Sequence, residues 1–144
     1  MQFILRTVPK EELRYPTVGD WIPRRDGGEI RVLKIGNEDY EFLVMVHELV
    51  EYYLCYRRGI TDEEVCKFDK EYVKSGKEGE PGDDPQAPYW REHSIATVIE
   101  RLLATELGIN WREYDNTWAE KYGEVKDYLK KKEAQQLSFN FPNR

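Results

Sequence analysis

The chain contains two histidines, His47 and His93, each set among glutamates in a stretch of helical periodicity: EFLVMVHELVEYYLCYRRG and PQAPYWREHSIATVIERLLATELG. Histidine and carboxylate on one helix face, met by a second histidine from elsewhere, is the smallest donor set from which a catalytic zinc-type site is built. His47 and Glu51 are four residues apart, so they point the same way and lie close enough to hold one ion. With His93 they give three ligands to a divalent metal, zinc before others, and leave a position for water, whose pKa the ion lowers toward about 7. Glu48, about 100° around the helix from His47, stands where a general base would. Asp69 in KFDKE is a further candidate metal ligand. Glu100, on the His93 face, is a candidate fourth ligand or a group that orients an imidazole.

The HELVE run resembles the HExxH helix of zinc proteases with a glutamate for its second histidine. That exchange keeps an ion-binding geometry but weakens the case for peptidase activity. Two plainer readings stand beside it. Glu41, His47, Glu48 and Glu51 share one arc of an otherwise apolar helix, which is the pattern of a solvated face. His93 shares its face with Tyr89, Ala96, Thr97, Glu100 and Ala104, a packing face on which histidine is often a hydrogen-bonded core residue. Cys55, one turn beyond Glu51, could add a thiolate, although a lone helical cysteine is usually a small core residue. No serine has a Ser-His-Asp setting, and Gly27-Gly28 opens a strand, so it is no phosphate-cradling loop.

The elements that must position these groups fit in one domain of 144 residues. The expected fold is α+β, mainly α: a small N-terminal β-hairpin or sheet followed by about four helices. Residues 1 to 8 read as a strand and PKEELRYP as one helical turn. GDWIPRR and EIRVLKI flank Asp26-Gly27-Gly28 as a hairpin, with Pro23 at a sheet edge. A helix runs from about Asn37 to Arg58 and closes at Gly59. The next opens with Thr61 and Glu64 in capping-box spacing and ends near Lys74. KEGEPGDDPQAP is a loop whose Asp83, Asp84 and Pro85 introduce the third helix, ending at Gly108. The fourth starts at Asn110 and carries an apolar stripe of Trp111, Tyr114, Trp118, Tyr122, Val125 and Leu129. The domain is expected to span residues 1–132, with 133–144 a flexible tail.

Net charge is −6 with both signs interspersed, which disfavours broad binding of nucleic acid or anionic membrane. No apolar stretch approaches the ~20 residues of a membrane span. Two cysteines in helical segments and no leader pattern suit a reducing cytoplasm.

The segments GDW, YEFLVMVHELVEYYLC, RGI, Phe68-Asp69 and GDDPQAPYWREHSIATVIERLLATELGINWREY together resemble a family of small uncharacterised proteins of bacteriophage and prophage genomes. The resemblance covers roughly residues 17 to 115. It implies a phage origin, hence a host-cell cytoplasm, and a recurring arrangement of His47, Glu48, Glu51, Asp69, Asp83 and His93, without an activity. Separately, Gln136-Leu137-Ser138-Phe139-Asn140-Phe141 resembles the hexapeptide by which bacterial replication proteins dock on the sliding clamp, with Phe139 in place of the usual leucine. Docking of that kind requires an extended tail, whereas folding back on the domain would bury it.

The expected function is a metal-dependent hydrolase with a zincin-like site. Two rivals remain open. An all-α Mg²⁺-dependent nucleotide pyrophosphohydrolase would use Glu48 and Glu51 with an ExxD set, but Glu80 and Asp83, which have that spacing, fall in a loop. A non-enzymatic inhibitor binding a host protein would leave both histidines structural.

Overall fold

The computed structural model describes residues 1–140. Three strands, β1 (Gln2–Val8), β2 (Gly19–Arg24) and β3 (Gly27–Leu33), precede four helices, α1 (Glu38–Arg58), α2 (Asp62–Lys74), α3 (Trp90–Glu106) and α4 (Trp111–Asn140). Single 3-10 turns lie at Lys10–Glu12 and Pro81–Asp83. The fold is α+β, mainly α.

The sheet order is β1-β3-β2, with β2 and β3 an antiparallel hairpin and β1 parallel to β3. Pro23 is tolerated because β2 is an edge, where a missing N–H breaks no inner ladder. Alternation then sorts the side chains. Gly19 and Trp21 of β2 pair with Val32 and Ile30 of β3 and share their face, against which α1 packs. On the opposite face Glu29 is ringed by Arg6, Arg24 and Arg31, the last at 2.6 Å.

Local signals fix the helix starts. The Asn37 side chain accepts from the Tyr40 N–H, and Thr61 and Glu64 close a reciprocal capping box. The Asn110 side chain accepts from the Glu113 N–H at 3.1 Å. Two boundaries differ from expectation. α3 begins at Trp90 rather than at Asp83–Pro85. Asp84 and Ala87 each precede a proline, and the ring of that proline drives them out of the helical region, so consecutive turns replace the first helical turn. Asp83 therefore sits in a loop that bends back over α3.

The second correction concerns the tail. Where a flexible tail is expected from residue 133, α4 continues to Asn140, because Lys-Lys-Glu-Ala-Gln-Gln-Leu are strong helix formers and no proline intervenes before Pro142. Phe139 and Leu137 on this stretch are exposed. Phe141, the last residue of the clamp-like hexapeptide, lies outside the described residues. No helix among the described residues is long and apolar enough to cross a membrane.

Candidate metal centre

α1 and α3 lie side by side and antiparallel, as the pairing of Arg58 with Glu92 at one end and of His47 with Glu100 farther along requires. The glutamate-histidine arc of α1 is not a solvated face. His47 and Glu51 are 6% and 4% exposed, and His93 and Glu100 on α3 are equally buried.

The two imidazoles and one carboxylate meet at a point. His47 Nε2 lies 3.1 Å from His93 Nδ1 and 3.2 Å from Glu51 Oε2, and His93 Nδ1 lies 2.9 Å from the same oxygen. Ligand atoms on a tetrahedral zinc, at bonds of 2.0–2.1 Å, stand roughly 3.3 Å apart, so the triangle is close to the size the ion needs. The outer groups decide which lone pairs face inward. His47 Nδ1–H donates to Glu100 Oε2 at 2.7 Å, and Glu100 in turn accepts from the Tyr114 hydroxyl. His93 Nε2–H donates to Asp83 Oδ1 at 3.1 Å, with Glu80 3.4 Å away. Carboxylates accept only, so each imidazole carries its proton on the outer nitrogen and, when neutral, turns a lone pair toward the centre. Trp21 Nε1–H donates to Glu51 Oε1 at 2.8 Å, leaving Oε2 for the centre. Ligands whose far atoms are held by a carboxylate or an N–H in this way are the arrangement of a histidine-carboxylate metal site.

Electrostatics describe the cluster without an ion. Burial opposes a charged His47, but hydrogen bonds to Glu100 and Glu51 outweigh it and raise its pKa to about 10. For Glu51 burial is likewise outweighed, by hydrogen bonds from His47 and His93, which bring it to about 2. Without an ion the inner imidazole nitrogens therefore carry protons and donate to Glu51, and a metal would have to displace those protons to take the place.

Two glycines make the approach feasible. A Cβ at Gly82 would come within 2.5 Å of the His93 ring, and one at Gly19 within 2.6 Å of Glu48 Oε1. The Pro81–Asp83 turn thus lies on the imidazole and β2 lies against Glu48.

A cavity of about 580 Å³ opens on this cluster. His47, Glu48, Glu51, Asp69, Asp83 and His93 all line it, as does the aromatic stripe of α4. Glu48 is half-buried there with no hydrogen-bond partner among the described residues, and its pKa is pushed up by burial and by the charge of Glu51. Asp69 is a correction. Its carboxylate stands apart from the ligand triangle because α2 holds it under α3, where Oδ1 accepts from the Tyr89 hydroxyl at 2.6 Å, and burial lifts it to about 7. Cys55 is fully buried and belongs to the apolar core, where burial raises its thiol.

Sequence reasoning missed Trp21 and Tyr114. Nothing in a pattern of apolar residues marks an indole or phenol whose polar atom will meet a buried carboxylate. Comparison with protein-family models, with curated proteins and with solved structures finds no match to this chain.

Proposed function

We propose that the protein is a divalent-metal-dependent hydrolase, with zinc held by His47 Nε2, His93 Nδ1 and Glu51 Oε2. The observation that carries this is the convergence of three acceptor atoms whose far sides are each pinned by a separate partner, namely Glu100, Asp83 and Trp21. A zinc ion held there would supply Lewis acidity and lower the pKa of a bound water toward about 7. Glu48 would be the residue placed to accept a proton beside the ion. Its carboxylate lines the cavity without a hydrogen-bond partner among the described residues, and burial raises its pKa, the direction a proton acceptor there requires. The cavity is acidic, with Asp69, Glu80, Asp83 and Asp115 against Lys77 and Lys126, which favours substrates without dense negative charge over nucleoside triphosphates. The indole N–H of Trp118, in the same wall, is buried without a hydrogen-bond partner among the described residues, a donor that a substrate oxygen would satisfy. The resemblance to phage proteins rests on residues that meet at this one cavity, and a phage origin is part of the proposal.

Protein purified without a metal-affinity tag should carry one zinc equivalent by elemental analysis. Glu48→Gln should keep that zinc and lower hydrolysis of an activated ester by about 10²- to 10⁴-fold. Zinc lost from Glu48→Gln would move Glu48 among the ligands, and absence of any bound metal after zinc loading would leave the two histidines as structural groups.

A further inference from the structure

The α1–α3 pair has a second side, turned away from the metal cluster. On α1 it carries Phe42, Val46, Leu49, Tyr53 and Tyr56, spaced 4, 3, 4 and 3 residues apart and so aligned in one stripe. On α3 it carries Ile95, Val98, Ile99 and Leu102. Neither the sheet nor α4 covers it: Leu102 is 66% exposed, Val98 60% and Tyr56 64%. Two adjacent helices about 10 Å apart, of 21 and 17 residues, present a footprint of about 30 by 20 Å, at the upper end of the apolar patches that monomers show and of the size that is often functional.

The ends of this face are charged, and oppositely. At one end stand Glu38 and Asp39 of α1 with Glu106 of α3, and at the other Arg57 of α1 with Arg91 of α3, all exposed and without ion-pair partners among the described residues. Arg91 lies in the first turn of α3 and Glu106 in its last, where each charge opposes the helix dipole and does nothing for its own helix.

We infer that this face binds a second copy of the chain across a two-fold axis. The charges select the axis. A dyad parallel to the helices would set acidic end on acidic end, whereas a dyad crossing them in the interface plane lays each helix antiparallel on its own copy and sets Glu106 on the partner's Arg91, Glu38 on the partner's Arg57. The apolar stripes obey the same symmetry. The midpoint of Phe42 to Tyr53 falls between Val46 and Leu49 and that of Ile95 to Leu102 between Val98 and Ile99, with Tyr56 one turn beyond the symmetric part, and the two midpoints are level, because His47 lies between His93 and Glu100 on the facing side of the pair. Phe42 then meets the partner's Tyr53, and Ile95 meets the partner's Leu102. The footprint, about 600 Å² in projection, approaches the ~800 Å² per partner of a standard stable interface once side-chain relief is counted.

Sedimentation equilibrium of the full chain tests this, with or without metal. The expected mass is twice the 17.2 kDa of one chain at micromolar concentration. Leu102→Glu, at an exposed position, should give a monomer with unchanged far-ultraviolet circular dichroism. Arg91→Glu should weaken association by about two- to thirtyfold, two symmetry-related pairs being lost, and adding Glu106→Arg should restore it. A wild-type chain that stays monomeric up to hundreds of micromolar overturns the inference. So does a Leu102→Glu chain that still dimerises, or a double reversal weaker than the single one.

Discussion

On one side of the α1–α3 pair the buried side chains are histidines and glutamates, while on the other phenylalanine, valine and leucine face water. A helix pair whose only task was to close a core would place them the opposite way. The burial of His47, Glu51, His93 and Glu100 is sustained because every one of them has a hydrogen-bond partner, and removing one partner from such a set strands the rest. What the difference teaches is that polarity alone does not mark an outer surface: here the polar side is a built interior and the apolar side an unfilled one.

The comparison is sharpest with one residue type tried on both sides. Leu43 on α1 is fully buried and Leu102 on α3 is two-thirds exposed. Leu43→Ala is expected to cost about 2–5 kcal/mol in chemical denaturation, the range for a core cavity. Leu102→Ala should stay within about 0.5 kcal/mol for the dilute monomer. Equal losses would mean that the exposed face is covered even in the isolated chain.

Next in size are the groups behind the ligands. If zinc is held as proposed, Asp83→Asn and Glu100→Gln should each weaken its binding by about 10- to 100-fold in competition with a chelator, because each removes the negative charge that raises the basicity of an imidazole and sets an amide in place of an acceptor-only carboxylate. Asp83 is the cleaner of the two, its side chain being 69% exposed and carrying no core packing. Unchanged zinc affinity in Asp83→Asn would show that the loop does not orient His93.

How much of this could be read from the chain differs between the groups. The order of elements was legible because Asn37, Thr61 and Asn110 announce helices locally. The pairing of His47, Glu51 and His93 was legible because two helix faces each carried a histidine beside a carboxylate. Asp69 was misplaced as a ligand, since spacing within α2 says nothing of whether Tyr89 will claim the carboxylate first. Asp83 was read as a helix start because the two prolines that unwind its neighbourhood act after it in sequence. The inversion of α1 was hidden for a different reason: hydropathy ranks residues by transfer from water, and a mutually satisfied polar cluster escapes that cost.

Outside the helix pair, the outer face of the sheet gives a pH signature smaller than either effect above. Hydrogen bonds from Arg31 and Arg24, partly opposed by burial, hold Glu29 at about 2 rather than its usual 4.5. A depressed carboxylate adds stability above its unfolded pKa and loses it as the pH falls through the folded one. The melting temperature should therefore drop between about pH 4.5 and 2 more steeply in the wild type than in Glu29→Gln, with the gap narrowed by salt. Parallel curves would assign the acid sensitivity to other carboxylates.

The smallest effect is expected at the end of α4. Residues 134–140 are helical but exposed along their length, Phe139 by 85%, so they share neither the polar interior nor the apolar face of the α1–α3 pair. A chain ending at Glu133 should unfold within about 0.5 kcal/mol of the full one, the range for surface changes, and should match the full chain in the proposed zinc binding and self-association. Were the tail a docking peptide for a sliding clamp, its last two turns would have to melt before entering a groove as an extended strand, and truncation would remove clamp binding while leaving all three readouts in place. A truncated chain that loses self-association would instead put the last turns of α4 in the dimer contact, and would break the assignment of that contact to α1 and α3 alone.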